Sequence, residues 1–594
     1  MINFKKNNLD KSSSPYLLQH KDNPIYWQEW SSEVLEYARK NDKILFVSVG
    51  YATCHWCHVM AAEAFSDKDV ADFLNANVVS IKVDKEQRPD IDNYMISFIQ
   101  ETQGQGGWPL NVFLTPDAKP FVAVTYIPIE PHYGLSGFLD LLRKVKEAYE
   151  RYKGEIQRYL PLIREEQSVE EQDIVQIIKD SFFKNGFGSG VQFPPHNTLL
   201  FLLSYYENNN DNEIKKIIEN ILDVMMMRGL HDHLQGGFFR YCTDASWTIP
   251  HFEKMLYDQA MHVWVYGVAY KILKKPEYKT IVEKIIICLE DTYAHDGLYY
   301  TAHDADTNHQ EGRTYLWDKE ELSKELSTSE YKQFVELYES ENNFEGRIHI
   351  IKKNNLFLNE TEKTLLQIRN KREQPFTDKK FLTSSNALIG IGLIIAYRSL
   401  GDQVLRQKAI ALFENILEKH YHHGVLYHSS YDGKLQSGEF LEDYAAILLY
   451  ATYMYEETGE YKDKIEELYS KLCEFYVKDW IESRSDDFMM ILAQTTDHPT
   501  PSSASLAEMA QLRACILLRK PYSPMKYKQS LQHDFFNLMA FVSKGNWHVL
   551  HTPHKIEWNH LPSNCIQIRD ARILDCYKQK CLEYNDVSEL LASL

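Results

Sequence analysis

Ile44-Leu45-Phe46-Val47-Ser48-Val49, followed five residues later by Cys54-His55-Trp56-Cys57, decides the fold of the first part of this chain. The apolar, β-branched run reads as a buried strand. Met60-Ala61-Ala62-Glu63-Ala64-Phe65 reads as helix. A Cys-x-x-Cys at a strand-to-helix junction puts the first thiol at a helix N-terminus, where backbone N–H groups and the helix dipole favour a thiolate. That is the chemistry of a redox dithiol. Two other readings share these residues. His58 completes Cys-x-x-Cys-His, the attachment pattern of c-type haem. That chemistry needs an exported chain, and Met1 to Asp10 carries charge with no apolar core after it, so no signal peptide is expected. Cys54, Cys57 and His58 could supply three zinc ligands, but no second Cys-x-x-Cys completes the set. The redox reading takes precedence.

The residues downstream extend it. Asn77 to Asp84 reads as a second strand, and Asp90 to Thr102 as a helix with Pro89 just ahead. Gly106-Gly107-Trp108-Pro109 leads into a strand at Asn111 to Thr115, which forms a hairpin with Phe121 to Tyr126, and a long helix starts near Ser136. The order βαβαββα predicts a thioredoxin fold. Pro109 falls where that fold places a cis-proline facing the cysteines.

The chain has 594 residues, enough for more than one domain. Its net charge is −19, which repels phosphate backbones and argues against nucleic acid. No apolar run reaches membrane-spanning length. Nine scattered cysteines do not resemble a secreted disulfide scaffold, so a cytoplasmic protein with reduced thiols is expected. The reading assigns no cofactor and no metal.

Beyond about residue 165 the pattern becomes helical. Amphipathic segments are predicted at 172–183, 196–207, 212–229, 253–273, 276–293, 382–400, 403–419, 440–458, 460–478, 502–518 and 527–541. Most come in pairs followed by a turn and aromatic residues, as at Gly236-Gly237-Phe238-Phe239, Gly297-Leu298-Tyr299-Tyr300 and Gly424-Val425-Leu426-Tyr427. The interval is about 60 residues, with a missing member expected near Glu345-Gly346-Arg347-Ile348. Six such hairpins with long aromatic loops favour a closed ring over an open solenoid. The predicted class is therefore multidomain, α/β plus all-α. A thioredoxin fold over 1–165 precedes a six-hairpin (α/α)6 toroid over 166–541, and residues 542–594 form a C-terminal segment packed on the toroid.

The densest polar run is Arg240-Tyr241-Cys242-Thr243-Asp244, Trp247, and Pro250-His251-Phe252-Glu253-Lys254-Met255-Leu256-Tyr257-Asp258. If residues 250–258 open a helix, His251, Lys254 and Asp258 share one face. Asp304-Ala305-Asp306, Tyr315, Trp317, Asn386 and Glu442-Asp443-Tyr444 would come to the same mouth. Carboxylates, a histidine and aromatic walls around a funnel suit a sugar-like polyol. Two carboxylates could serve glycoside hydrolysis, or histidines could move a proton in epimerisation. The bland alternative is a helix start whose acids cap it and pair with its bases.

Ser14-Pro15-Tyr16-Leu17-Leu18-Gln19-His20, Cys54-His55-Trp56-Cys57-His58-Val59-Met60, Arg88-Pro89-Asp90-Ile91-Asp92, Gly106-Gly107-Trp108-Pro109-Leu110 and Pro250 to Asp258 together closely resemble one thioredoxin-domain family. It is the widespread family that includes the spermatogenesis-associated protein of animals. The resemblance implies a thioredoxin-like domain joined to a six-hairpin, glycosidase-like domain, and no defined substrate. The chain departs from the family pattern at Ala62-Glu63-Ala64-Phe65, at Cys242 and at Ser384-Ser385-Asn386-Ala387-Leu388, and it keeps a spaced pair at Cys576 and Cys581. The acid that thioredoxins bury six residues before the first cysteine is here Ser48.

The expected function is a thiol–disulfide oxidoreductase with a sugar-binding or sugar-modifying toroid, acting on a protein disulfide or thiol partner. Cys54 would attack and Cys57 resolve. His55, Trp56, His58, Trp108 and Pro109 would line the groove. In the toroid His251, Glu253, Asp258, Asp304, Asp306 and Asp443 are the catalytic candidates. Arg240, Tyr241, Trp247, Lys254, Tyr257, Tyr315, Trp317, Asn386 and Tyr444 are the binding candidates. Two alternatives are a carbohydrate-active enzyme with a structural thioredoxin domain, and a non-catalytic scaffold.

Overall fold

The computed structural model describes residues 2–131, 136–159, 171–356, 358–436, 438–522, 547–578 and 580–594. The N-terminal unit begins with a short helix, α1 (Pro15–Gln19), and continues β1 (Gln28–Glu29), α2 (Ser32–Lys40), β2 (Ile44–Gly50), α3 (His55–Ala62), α4 (Lys68–Asn77), β3 (Val78–Asp84), α5 (Pro89–Gln103), β4 (Leu110–Leu114), β5 (Pro120–Val124) and α6 (Phe138–Tyr152). The strand order is β1-β3-β2-β4-β5, with β2 parallel to β3 and antiparallel to β4. This is the thioredoxin fold. β2 is buried along its whole length, as a β-branched run covered on both faces should be. Pro89 opens α5 at a position where its missing N–H costs nothing, and Gly104 closes it in the left-handed region at φ 79°.

The second unit is the (α/α)6 toroid. After α7 (Glu171–Ser181), the hairpins are α8 (His196–Asn209) with α9 (Asn212–Met227), α10 (Leu256–Leu273) with α11 (Pro276–Thr292), and, beyond an insertion, α15 (Thr383–Leu400) with α16 (Gln403–His420) and α17 (Leu441–Thr458) with α18 (Lys462–Cys473). α19 (Ser503–Leu518) follows, and the helix expected at 527–541 lies outside the described residues. α10, α15 and α17 are apolar on nearly every face and almost wholly buried, as inner helices of a ring must be. α9 and α18 bury one face only, against the inner layer. α11 and α16 end in two-residue hairpins, Ala294–His295 with Leu298–Tyr299 and Tyr421–His422 with Val425–Leu426.

Two expectations change. The segment 250–255 is not helix. Pro250–His251 pairs with Tyr241–Cys242, and Lys254–Met255 pairs with Ala302–His303, so α10 starts only at Leu256. The segment near Glu345 is no member of the ring. The insertion carries α12 (Lys319–Glu325), α13 (Thr328–Leu337) and α14 (Asn359–Arg369), which enclose a small core of their own around Trp317, Phe334, Tyr338 and Leu365. α10 packs directly on α15 beside it.

A four-stranded sheet built from His548–Thr552, Cys565–Arg569, Leu574–Tyr577 and Lys580–Glu583 covers the C-terminal ends of the inner helices. Trp558 lies under the Arg398 guanidinium at 3.6 Å, and the Gln567 amide donates to Glu456 at 3.0 Å. Cys576 and Cys581 face each other in its last hairpin as a disulfide. The N-terminal unit sits at the opposite end, where α10, α15 and α17 begin. Among the described residues no helix is long and apolar enough to cross a membrane.

Candidate functional site

Cys54 is the N-cap of α3, its Sγ accepting from the Cys57 amide at 3.2 Å. The two cysteines form a disulfide, and the Trp108–Pro109 bond is cis. Trp108 donates its indole N–H to Asp92 Oδ1 at 2.7 Å. Burial pushes the Asp92 carboxyl up to about 6, with Lys85 and Trp108 pulling against it. Cys54 and Cys57 are only 3% and 1% exposed, whereas Trp56 stands 48% exposed beside Tyr126.

The residues around the disulfide are bonded to the toroid. Thr53 donates to Glu253 Oε1 at 2.5 Å, and the Tyr51 hydroxyl reaches Glu253 Oε2 at 3.3 Å. Arg240 donates to Glu253 Oε2 at 2.9 Å and also to the Tyr51 hydroxyl. His55 Nδ1 lies 2.8 Å from both oxygens of Asp306. His58 Nε2 donates to the Ala52 carbonyl at 2.9 Å, and its Nδ1 faces Asp304 at 3.6 Å. Burial opposes charge on His58, but Asp306 and Asp304 outweigh it and raise the imidazole to about 9. Burial also raises Asp304 to about 7. Asp306 is held well below the usual carboxylate range, because its bonds to His55 and His58 exceed the burial penalty. His58, Asp304 and Asp306 converge within 4.8 Å, as do His428, Glu442 and Asp443. In both groups the imidazole's other nitrogen bonds a backbone carbonyl, Ala52 or Glu86, which orients the ring toward the carboxylates. Cys54 and Cys57, two of the three zinc ligands that the sequence offers, are joined as a disulfide.

Further along the seam, Lys380 is fully buried and meets Asp84 at 2.6 Å, Glu86 at 2.9 Å and Asp378 at 3.2 Å. His428 Nδ1 lies 2.7 Å from Asp443. Arg88 bonds Asp90 on its own unit and both oxygens of Asp487.

The structure therefore brings His55, His58, Arg240, Glu253, Asp304 and Asp306 together, but as a docking seam around the disulfide. His251 stacks on Tyr241 and bonds Glu311 at 2.6 Å. Asp258 and Tyr257 lie at the start of α10, and both oxygens of Asp258 lack a hydrogen-bond partner among the described residues. Burial raises the Asp258 carboxyl well above its ordinary range. The remaining residues are placed elsewhere. Trp247 is core, its indole bonded to the Asn185 carbonyl at 3.1 Å. Trp317 is buried in the insertion under Arg372. Lys254 is a buried partner of Asp232 at 2.7 Å, and Tyr315 stacks on Phe252. Asn386 bonds the backbone of Tyr299, and Tyr444 accepts from the Leu426 amide. Tyr51, Thr53, Lys380 and His428 had no sequence signal, since nothing local distinguishes them from ordinary polar residues.

Residues 6–168 match a family model of the thioredoxin DsbH type described as a protein of unknown function, DUF255. An uncharacterized protein of Caenorhabditis elegans is 31% identical over 88% of this chain and 82% of its own length. Spermatogenesis-associated protein 20 of Mus musculus is 31% identical over 76% and 67%. The match to the Homo sapiens protein of that name is 35% identical over 54% of this chain and 44% of that protein. Among solved structures, cellobiose 2-epimerase from Spirochaeta thermophila aligns at 13% identity with a TM-score of 0.40, over 63% of this chain and 82% of that one. A DsbH oxidoreductase aligns at 18% identity with a TM-score of 0.17, over 21% and 85%.

Proposed function

Given that the chain belongs to the family of spermatogenesis-associated protein 20, we propose that it is a thiol–disulfide oxidoreductase whose reacting edge is docked on a toroid. The observation that carries this reading is Cys54 capping α3 and bonded to Cys57. The helix N-terminus stabilises a Cys54 thiolate. Reduced Cys54 attacks a disulfide of the partner, one partner thiolate leaves, and Cys57 displaces the second to restore the Cys54–Cys57 bond. Exposed Trp56 and neighbouring Tyr126 form the face a partner meets. The seam covers the rest, so the reading favours a small disulfide or an extended peptide over a broad protein surface. Five free cysteines, four of them buried, fit a reducing, cytoplasmic setting.

The test is reduction of insulin or a small disulfide by the reduced full chain. Turnover is expected from the wild type and none from Cys54→Ser; equal rates would sink the reading.

A carbohydrate-modifying role for the toroid is a second reading. It draws on Asp258, whose unpartnered carboxyl lies near Arg240, and on Glu442, which burial raises to about 7. Such groups can serve as general acids. A thermal-shift screen of sugars would show a stabiliser that Asp258→Asn abolishes.

A further inference from the structure

Tyr16 precedes the first strand of the sheet, yet it reaches the dithiol. Ser14 caps α1 by accepting from the Leu17 amide at 3.2 Å, and it donates to Asp84 at 2.6 Å. This pins Tyr16 under the end of β2, fully buried. Its hydroxyl has no hydrogen-bond partner among the described residues. A buried, unmade hydrogen bond is a costly group to retain and calls for an explanation.

Gly50 shows what lies against it. A Cβ added there would meet Cys57 Sγ at 2.7 Å and the Tyr16 hydroxyl oxygen closer still. The two atoms therefore border one small space, which Gly50 leaves open. A disulfide sulfur accepts hydrogen bonds weakly, and a thiolate accepts them well. Cys57 is 1% exposed, so water is poorly placed to do this. The surrounding ionisable groups are otherwise engaged. Lys82 donates to Ser48 at 3.0 Å, Asp84 is held by Ser14 and Lys380, and His20 sits edge-on to the Tyr16 ring at 5.0 Å and bonds Asn23. Burial, reinforced by Asp84, keeps the phenol protonated far above its ordinary range, so it is a donor.

We propose that the Tyr16 hydroxyl is a catalytic donor that hydrogen-bonds the Cys57 thiolate when the Cys54–Cys57 bond opens. This rests on the oxidoreductase reading. In the mixed disulfide, Cys57 loses its proton to the departing partner thiolate, with Tyr16 sharing its own proton but not surrendering it. The Cys57 sulfur then attacks Cys54, the Cys54–partner bond breaks, and the second partner sulfur leaves as a thiolate, which takes any proton from solvent. The dithiol is oxidised by two electrons and the partner disulfide is reduced by two.

The experiment uses the reduced full chain and the aromatic disulfide 5,5′-dithiobis(2-nitrobenzoate). Attack by Cys54 releases one thionitrobenzoate, and resolution by Cys57 releases a second. In Tyr16→Phe, which removes only the hydroxyl, the first phase should be unchanged and the second about tenfold slower, the effect of one hydrogen bond to a charged group. The melting temperature of the oxidised variant should equal or exceed that of the wild type, because no bond is lost there and the cost of an unmade one is removed. Equal second phases, or a lowered melting temperature of oxidised Tyr16→Phe, would overturn the assignment. A wild type whose release matches that of Cys54→Ser would instead overturn the oxidoreductase reading itself.

Discussion

Replacing Lys380 with methionine probes the docking of the two units. Lys380 Nζ is the one cation within 3.2 Å of Asp84, Glu86 and Asp378 among the described residues, and it is fully buried. Methionine keeps most of the side-chain volume and removes the charge. Three carboxylates then share a water-poor seam without their counter-ion. Breaking a buried ion pair from one side costs about 3–5 kcal/mol, because the remaining charge is left uncompensated. Burial, opposed by Lys380, already holds Asp378 above its usual range, so removing the lysine raises it further. A carboxyl with a raised native pKa stabilises below its ordinary pKa and loses that contribution as pH rises through the native value. The deficit of Lys380→Met should therefore be largest near pH 8 and shrink near pH 5. Urea unfolding at both pH values, with limited proteolysis as a second probe of the seam, measures it. Adding Asp378→Asn to Lys380→Met should recover part of the loss. A midpoint unchanged at pH 8, or a deficit that does not vary with pH, would refute this account of the seam.

Three further outcomes are expected. Gly390→Ala in α15 would drive a methyl group into the Tyr450 ring of α17, which is itself fully buried. Overpacking of this kind costs about 1–3 kcal/mol, read as a lower melting temperature; an unchanged one would mean the helices separate freely. Burial, aided by Glu442 and Asp90, pushes the Glu482 carboxyl up to about 8, so wild-type stability should fall as pH rises from 4.5 through 8. Glu482→Gln should flatten that slope, and parallel curves would argue against it. Trp56→Ala should leave the unfolding free energy within about 0.5 kcal/mol of wild type, being a surface change, while slowing reduction of a peptide disulfide.

How much was legible follows from the range of each signal. β2 and β3 were readable because a β-branched run buried on both faces has few alternatives, and Cys54 announced its helix by position. The inner helices were readable from length and apolarity. The start of α10 was not, because Pro250–His251 and Lys254–Met255 are drawn into pairing with Tyr241–Cys242 and Ala302–His303, a tertiary effect that overrides helical spacing. Trp247 and Trp317 looked like pocket walls, yet a tryptophan has the same letters in a core. The seam was least visible. His55 meets Asp306 across 251 positions and Thr53 meets Glu253 across 200, so His55, Asp306 and Glu253 were singled out but not what each would touch, and Thr53 was not singled out at all.

The position of the dithiol at this junction has a practical consequence for anyone working with fragments. An excised thioredoxin-like piece would carry Asp84 and Glu86 without Lys380, Thr53 and Tyr51 without Glu253, and His55 without Asp306. Its cysteines would keep their loop but exchange their neighbourhood for solvent. A potential or reactivity measured on such a fragment would describe a different molecule.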